Sequence, residues 1–182
     1  MKNDLLYFDL ETQRTANDVG GWSHKAKMGM SIGVLYSVAD EKYLIYRESE
    51  VQEMVERILS ARRVIGYNHI SFDYEVLMGY TVVDLKEQAL SFDLMVDLEE
   101  RLGFRPRLES VAGATLGIGK TADGLDALKW WKEGKIRKIA EYCCYDVKVT
   151  WLVHRYGVEN GRIQYFDRNS NLQSVMVDWP EI

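Results

Sequence analysis

The chain has 182 residues, room for one domain of ordinary size and too little for two independent ones. Apolar residues make up 47% and charged residues 28%, with only two prolines, which excludes a disordered or low-complexity scaffold, and no apolar run approaches the ~20 residues that span a bilayer. The net charge of −5, from 23 basic and 28 acidic residues, excludes a histone-like basic coat.

In chain order, the start MKNDLLYFDLET lacks an apolar stretch of signal-peptide length and has acids where the cleavage region belongs, so no signal peptide is expected. Within it LLYFDLE reads as a short, nearly all-apolar strand ending in acids, as a central sheet strand would. Residues 12–30 carry turn and small residues with little periodicity and read as one long loop. SIGVLYSV and KYLIYR form two strands joined at Ala39-Asp40-Glu41 as a hairpin. SEVQEMVERILSA, with apolar residues at 51, 54, 55, 58 and 59, reads as a helix capped by Ser49. RRVIGYN is a second buried strand. A helix is expected from about Ser71, its cap, to Met78, and a brief strand around Thr81–Asp84.

From Phe92 onward the pattern turns helical. DLMVDLEERLG stops at Gly103; RLESVAGATLG, DGLDALKWWKEG and the long IRKIAEYCCYDVKVTWLVHRYG follow. The tail, GRIQYFDRNSNLQSVMVDW, predicts two strands about a turn at Arg168–Asn171. Residues 101–138 hold nine Lys/Arg against four acids, a local basic excess that solvated helix faces also produce. The two cysteines, Cys143 and Cys144, are neighbours and cannot staple distant segments, which points to a reducing, cytoplasmic setting. Without a repeat or a linker, the chain reads as one mixed α/β domain around a partly parallel sheet.

Three carboxylate patterns carry the chemistry. Asp9 and Glu11 stand two apart on a strand and so share a face. Side by side they repel, and a hard divalent cation such as Mg²⁺ or Mn²⁺ removes that cost; a strand emerging into solvent explains the pair equally well. In Asn68-His69-Ile70-Ser71-Phe72-Asp73, Asp73 falls in the first turn of a helix, where an acid also complements the macrodipole. On the late helix, Ile136, Ile139, Ala140, Cys143, Val147, Thr150, Trp151 and His154 form the core stripe. Tyr142 and Asp146 stand together on its flank, where a helix borders a cleft, although an exposed pair has the same spacing.

The order Asp-x-Glu, Asn-x-x-x-Phe-Asp, Tyr-x-x-x-Asp resembles the three motifs of the DEDD superfamily of 3′–5′ exonucleases, from about Leu5 to Tyr156. FDLET matches the first motif, NHISFD the second and YCCYD the third. The histidine branch has His five residues before the last acid, where this chain has Glu141, and Tyr142 sits four before it. The chain is therefore similar to the tyrosine branch (DEDDy), and within it to the YprB-type RNase H-like domains.

The resemblance implies an RNase H-like mixed sheet flanked by helices, over residues 1–182 as a single domain: a core of about 4–157 and a C-terminal hairpin at 158–182. It implies that Asp9, Glu11, Asp73 and Asp146 hold two divalent metal ions, Mg²⁺ or Mn²⁺, while Tyr142 orients the attacking water. The activity implied is phosphodiester hydrolysis from the 3′ end of DNA or RNA, releasing nucleoside 5′-monophosphates. Thr12, Arg14, Trp22 and Asn68 are candidate substrate contacts. Gln13, His24, Lys25 and Lys27 lie on the same loop, and Arg105, Arg107 and Lys120 could track a strand's backbone. The expected partner is a nucleic acid 3′ end, single-stranded DNA or RNA, with no membrane; a helicase or polymerase partner is compatible. The alternative is a catalytically slow nucleic-acid-binding module of the same fold in a nuclease–helicase system.

Other patterns carry less. Gly117-Ile118-Gly119-Lys120-Thr121 resembles the end of a phosphate-binding loop, but Ala114 stands where its first glycine belongs and a helix-like segment precedes it. Three scattered histidines give no zinc spacing. Asp93 and Asp97, one helical turn apart, could bind a further ion or form a solvated helix flank.

Overall fold

A computed structural model describes residues 4–119 and 124–181. Lys120 and Thr121, named above for a backbone contact and a phosphate-loop-like run, lie outside them. Strand β1, Leu5–Thr12, is apolar on both faces because both are covered. Leu5 and Tyr7 enter one core, and Leu6, Phe8 and Leu10 the other. A strand with two buried faces belongs in the middle of a sheet, and β1 is central in a five-stranded sheet of order β3-β2-β1-β4-β5.

Strands β2 (Met30–Ser37) and β3 (Lys42–Arg47) form the expected hairpin, β2 antiparallel to β1. On the other side β4 (Arg63–Gly66) runs parallel to β1, and β5 (Ser91–Asp93) parallel to β4. The carboxyl ends of β1, β4 and β5 therefore lie side by side, the usual place for a site in an α/β sheet. Helices α1 (Val51–Ser60), α2 (Asp73–Leu77) and α3 (Leu85–Gln88) contribute to the core that holds Phe8. The opposite core takes α4 (Leu94–Leu102), α5 (Leu108–Leu116), α6 (Gly124–Lys132) and α7 (Ile136–Asn160). No helix among the described residues is long and apolar enough to cross a membrane.

Several local expectations are corrected. Residues 12–30 are not one irregular loop: they hold 3₁₀ turns at Asn17–Val19 and Trp22–Lys27. Ser49 does not cap α1; a 3₁₀ turn at Glu48–Glu50 comes first, and the Glu50 carboxylate accepts from the Arg47 N–H at 2.8 Å. Ser71 does not cap α2 either, since Phe72 occupies that position without a side-chain bond. No strand forms at 81–84; Asp84 instead caps α3. The helix expected from Phe92 begins at Leu94, because Ser91–Asp93 pair with β4. Helix α7 continues past Gly157 to Gly161, whose φ of 61° ends it.

The tail forms a hairpin of β6 (Arg162–Phe166) and β7 (Leu172–Met176). Its inner face brings Ile163, Tyr165 and Val175 onto the α7-side core. The outer edge of β6 pairs with side chains instead of a strand. Thr115 Oγ1 donates to Gln164 O at 2.8 Å and accepts from Gln164 N at 2.9 Å, and Ser110 Oγ does the same for Phe166 at 3.2 and 3.1 Å. Beyond the hairpin, Trp179 stacks on His154 at 5.9 Å and donates through Nε1 to Asp97 at 2.7 Å. It lies flat against Gly157, where an added Cβ would meet its ring at 2.2 Å. Gly157→Ala is accordingly expected to cost about 1–3 kcal/mol from overpacking. Gly119→Ala, which meets nothing within 4 Å, should be near neutral; thermal unfolding of both variants checks this.

Candidate active site

Strand alternation places Asp9 and Glu11 on the face that Tyr7 shares with α7. Helix α7 crosses that face with Cys143 and Val147 turned into the core. Cys143 Sγ lies 3.4 Å from both Asp9 O and Asp9 Oδ2. Fixing Cys143 there puts Tyr142 and Asp146 on the flank above the end of β1, as the helical stripe predicts. Asp9, Glu11 and Asp146 each offer a carboxylate oxygen, and these lie within 4.8 Å of one another. The Tyr142 hydroxyl stands near enough to Asp146 to favour its anion, and its ring packs edge-on against Trp130 of α6 at 6.2 Å. Asp73 stands outside that trio: buried at the start of α2, its Oδ1 accepts from the Leu10 N–H at 3.0 Å.

The electrostatics follow from burial. Desolvation holds Asp9 and Glu11 well above the usual carboxylate range, and the charges of Asp73 and Asp146 push both further. Burial pushes Asp73 up to about 8 although the Leu10 N–H favours its anion, and Asp146 up to about 6 although the Tyr142 hydroxyl does likewise. Burial, together with the charges of Asp146 and Glu11, also raises Tyr142, so the phenol stays protonated. No Lys, Arg or His among the described residues pairs with any of the four acids. Crowded carboxylate oxygens without a protein cation are the donor set of a hard divalent ion, so the residues fit the metal that the sequence implies.

The acids Asp9, Glu11 and Asp73 line a cleft of about 740 Å³. Thr12, Trp22 and Asn68 line it too, whereas Arg14 does not. The Arg14 Nε donates to Met28 O at 3.3 Å and Gln13 Nε2 to Met30 O at 2.8 Å, so both tie residues 12–30 together. Trp22 is 66% exposed and packs edge-on against Phe72 at 6.2 Å. A second depression of about 370 Å³ shares Asp9, Tyr67, Asn68, Arg107 and Glu109 with the cleft and continues it to Arg105. Arg105 Nη2 donates to Asn68 Oδ1 at 3.0 Å.

The pair Asp93 and Asp97 is neither a metal site nor a solvated flank. Asp93 is buried and accepts backbone N–H bonds, and Asp97 accepts from Arg101 and Trp179. The signal for Asp93 was available: an Asp just before an apolar-periodic segment is an N-cap.

Comparison with known proteins agrees with this fold. Residues 6–157 match the family model RNase_H_2, of the RNase_H superfamily. No curated protein matches. A solved structure, the family B DNA polymerase from the hyperthermophilic archaeon Pyrobaculum calidifontis, superposes with a TM-score of 0.64 at 16% identity. The match covers 85% of this chain and 24% of that one, so the chain spans about a quarter of the polymerase's length. The fold is thus RNase H-like, a mixed five-stranded sheet with helices and a C-terminal hairpin.

Because folding raises the four acids, the metal-free chain takes up protons on folding. That stability is complete below the ordinary carboxylate range and is lost as the pH rises through about 6 for Asp146 and about 8 for Asp73. His69 and His154, which burial lowers to about 4, add stability that is complete above about pH 6.5. Between about pH 6.5 and 8.5 the melting temperature in chelator is therefore expected to fall. Millimolar Mn²⁺ should remove the decline, and Asp73→Asn should flatten it without metal; thermal scans across that range test both.

Proposed function

Since the chain belongs to the RNase H superfamily, we propose that it is a divalent-metal-dependent nuclease, and within that class a 3′–5′ exonuclease of the tyrosine branch, of YprB type. The observation that carries this reading is the convergence of Asp9, Glu11 and Asp146 within 4.8 Å, with Asp9 and Glu11 lining an open cleft. In this proposal Asp9, Glu11 and Asp146 would hold the ions, with Asp73 beside them as a further acidic ligand. Two Mg²⁺ or Mn²⁺ ions there would supply charge neutralisation for the attacking and leaving oxygens of an in-line phosphodiester displacement.

The remaining chemistry falls to the side chains. Tyr142 stays protonated beside Asp146, and its hydroxyl oxygen has lone pairs to accept a hydrogen from a water beside the acids. A protonated phenol is a poor base, so its work is to hold that water in line with the phosphorus. Trp22 and Phe72 offer an apolar wall for an unpaired terminal base, and stacking of that kind tolerates any base. Thr12 and Asn68 stand where a sugar or phosphate would lie, and Arg105 and Arg107 border the continuation of the groove. Residues 15–28 wall the cleft with Thr15, Ala16, Asn17, Trp22 and Met28. That wall favours a strand that ends in the site over one that passes through it, and so supports cutting from a terminus.

The test uses single-stranded oligonucleotides of DNA and RNA labelled at the 5′ or the 3′ end, with Mn²⁺. Stepwise shortening from the 3′ end is expected, with mononucleotide as the product. Asp146→Ala should lower the rate by about 10³-fold or more, and Tyr142→Phe by about 10²-fold with metal binding retained. Internal cuts would replace this reading with an endonuclease. Binding without cutting would favour the slow nucleic-acid-binding module, with a helicase or polymerase as its partner.

A further inference from the structure

Asp93 is 4% exposed, yet it bonds none of the four acids and not Tyr142. Its two carboxylate oxygens divide their work. Oδ1 accepts from Met95 N at 3.0 Å and Val96 N at 3.4 Å, the bonds of an ordinary helix cap on α4, and also from Asn68 N at 2.7 Å. Oδ2 has no part in the cap: it accepts from Ile70 N at 3.0 Å and lies 3.4 Å from His69 Nδ1. His69 is fully buried, and its ring sits against Gly66 and Tyr74. Capping α4 therefore accounts for only part of this carboxylate.

The turn held in this way is the one that delivers Asp73 and Asn68. Asn68 has a left-handed φ of 66°, a conformation that costs a non-glycine residue energy unless its surroundings enforce it. The 2.7 Å bond to Asp93 holds its N–H, and Arg105 holds its side-chain oxygen at 3.0 Å. From there the backbone closes tightly, Phe72 N on Asn68 O at 3.0 Å and Tyr74 N on His69 O at 2.9 Å, and Asp73 starts α2. Helix α2 has only five residues, too few to hold its own position. We propose that Asp93 is a positioning residue for this site: through the 68–72 turn it sets where Asp73 and Asn68 stand relative to Asp9. For its catalytic consequence the inference rests on the nuclease reading; for its structural consequence it rests on these hydrogen bonds alone.

The test compares Asp93→Asn with Asp97→Asn, which lies one turn along α4 and bonds the C-terminal tail through Trp179 instead of the turn. An amide whose oxygen keeps the Oδ1 bonds to Met95, Val96 and Asn68 puts an NH₂ donor where Oδ2 accepts from Ile70 N, so that turn bond is lost. Backbone amide exchange over residues 67–73 is expected to speed at least tenfold in Asp93→Asn and to stay at wild-type rates in Asp97→Asn. On a labelled oligonucleotide with Mn²⁺, Asp93→Asn should lose at least tenfold in kcat with KM changed less than threefold, and Asp97→Asn should keep both. Should Asp93→Asn fail to fold, Asp93→Ser, which retains a cap acceptor for α4, takes its place with the same expectations. Wild-type exchange in the turn, or a loosened turn with undiminished kcat, overturns the proposal. A wild-type protein that cuts nothing overturns the nuclease reading, and the exchange arm still decides whether Asp93 holds the turn.

Discussion

Mutual repulsion among Asp9, Glu11, Asp73 and Asp146 is the constraint around which the molecule is arranged. Each has lost much of its water, and folding could have relieved them with a lysine or an arginine. It does not, for no described cation pairs with any of the four. The local partners are neutral donors: the Leu10 N–H on Asp73 and the Cys143 thiol on Asp9, with the protonated Tyr142 phenol near Asp146. Neutral donors orient an anion without cancelling its charge, so the acids keep their shape and their appetite for a cation together. The cost is borne by the rest of the fold, through a central strand buried on both faces and a 25-residue helix laid across it.

The walls of the cleft depend on the same economy of contacts. Residues 12–30 are not held by a core of their own. They are tied inward by Arg14 and Gln13, and Tyr80 adds a hydroxyl to the Met30 N–H at 2.8 Å. Gly79, at the end of α2, comes so close to Ala26 that a Cβ there would lie 2.1 Å from its carbonyl oxygen. The Trp22 wall and the helix that begins with Asp73 are thus braced on one another.

Much of this was legible in the sequence, for identifiable reasons. LLYFDLE announces a central strand because a run apolar on both faces has no other stable place, and the late helix announces its cleft-facing flank because its core stripe is unbroken. Tyr142 and Asp146 could be placed beside the acids of β1 from that periodicity and the motif order. What escaped depends on contacts remote in the chain. Strand β5 is three residues long, and its last residue doubles as a helix cap, so its apolar pattern merges with that of α4. Asp93 shows its second role only once β4 is laid beside β5. Arg14 looked like a substrate ligand because an arginine beside a carboxylate strand invites a phosphate, while the acceptor it found is the carbonyl of Met28. Ser49 and Ser71 had the chemistry of caps, but each lies one residue away from the position that needs one.

The hydroxyls of Ser110 and Thr115 have a consequence for the protein in concentrated solution. By occupying the outward backbone groups of Gln164 and Phe166, they give β6 the bonding of an interior strand without adding one. On the far side of that hairpin the Arg101 guanidinium lies on the Met176 carbonyl. At the rim of the main sheet, β3 carries Lys42 and Arg47 at its two ends, so a second chain laid centred and antiparallel on it would set cation against cation. These three rims are thus obstructed by different devices, and edge-to-edge pairing, the common route from an open-edged fold to fibrils and precipitate, is disfavoured at each of the three.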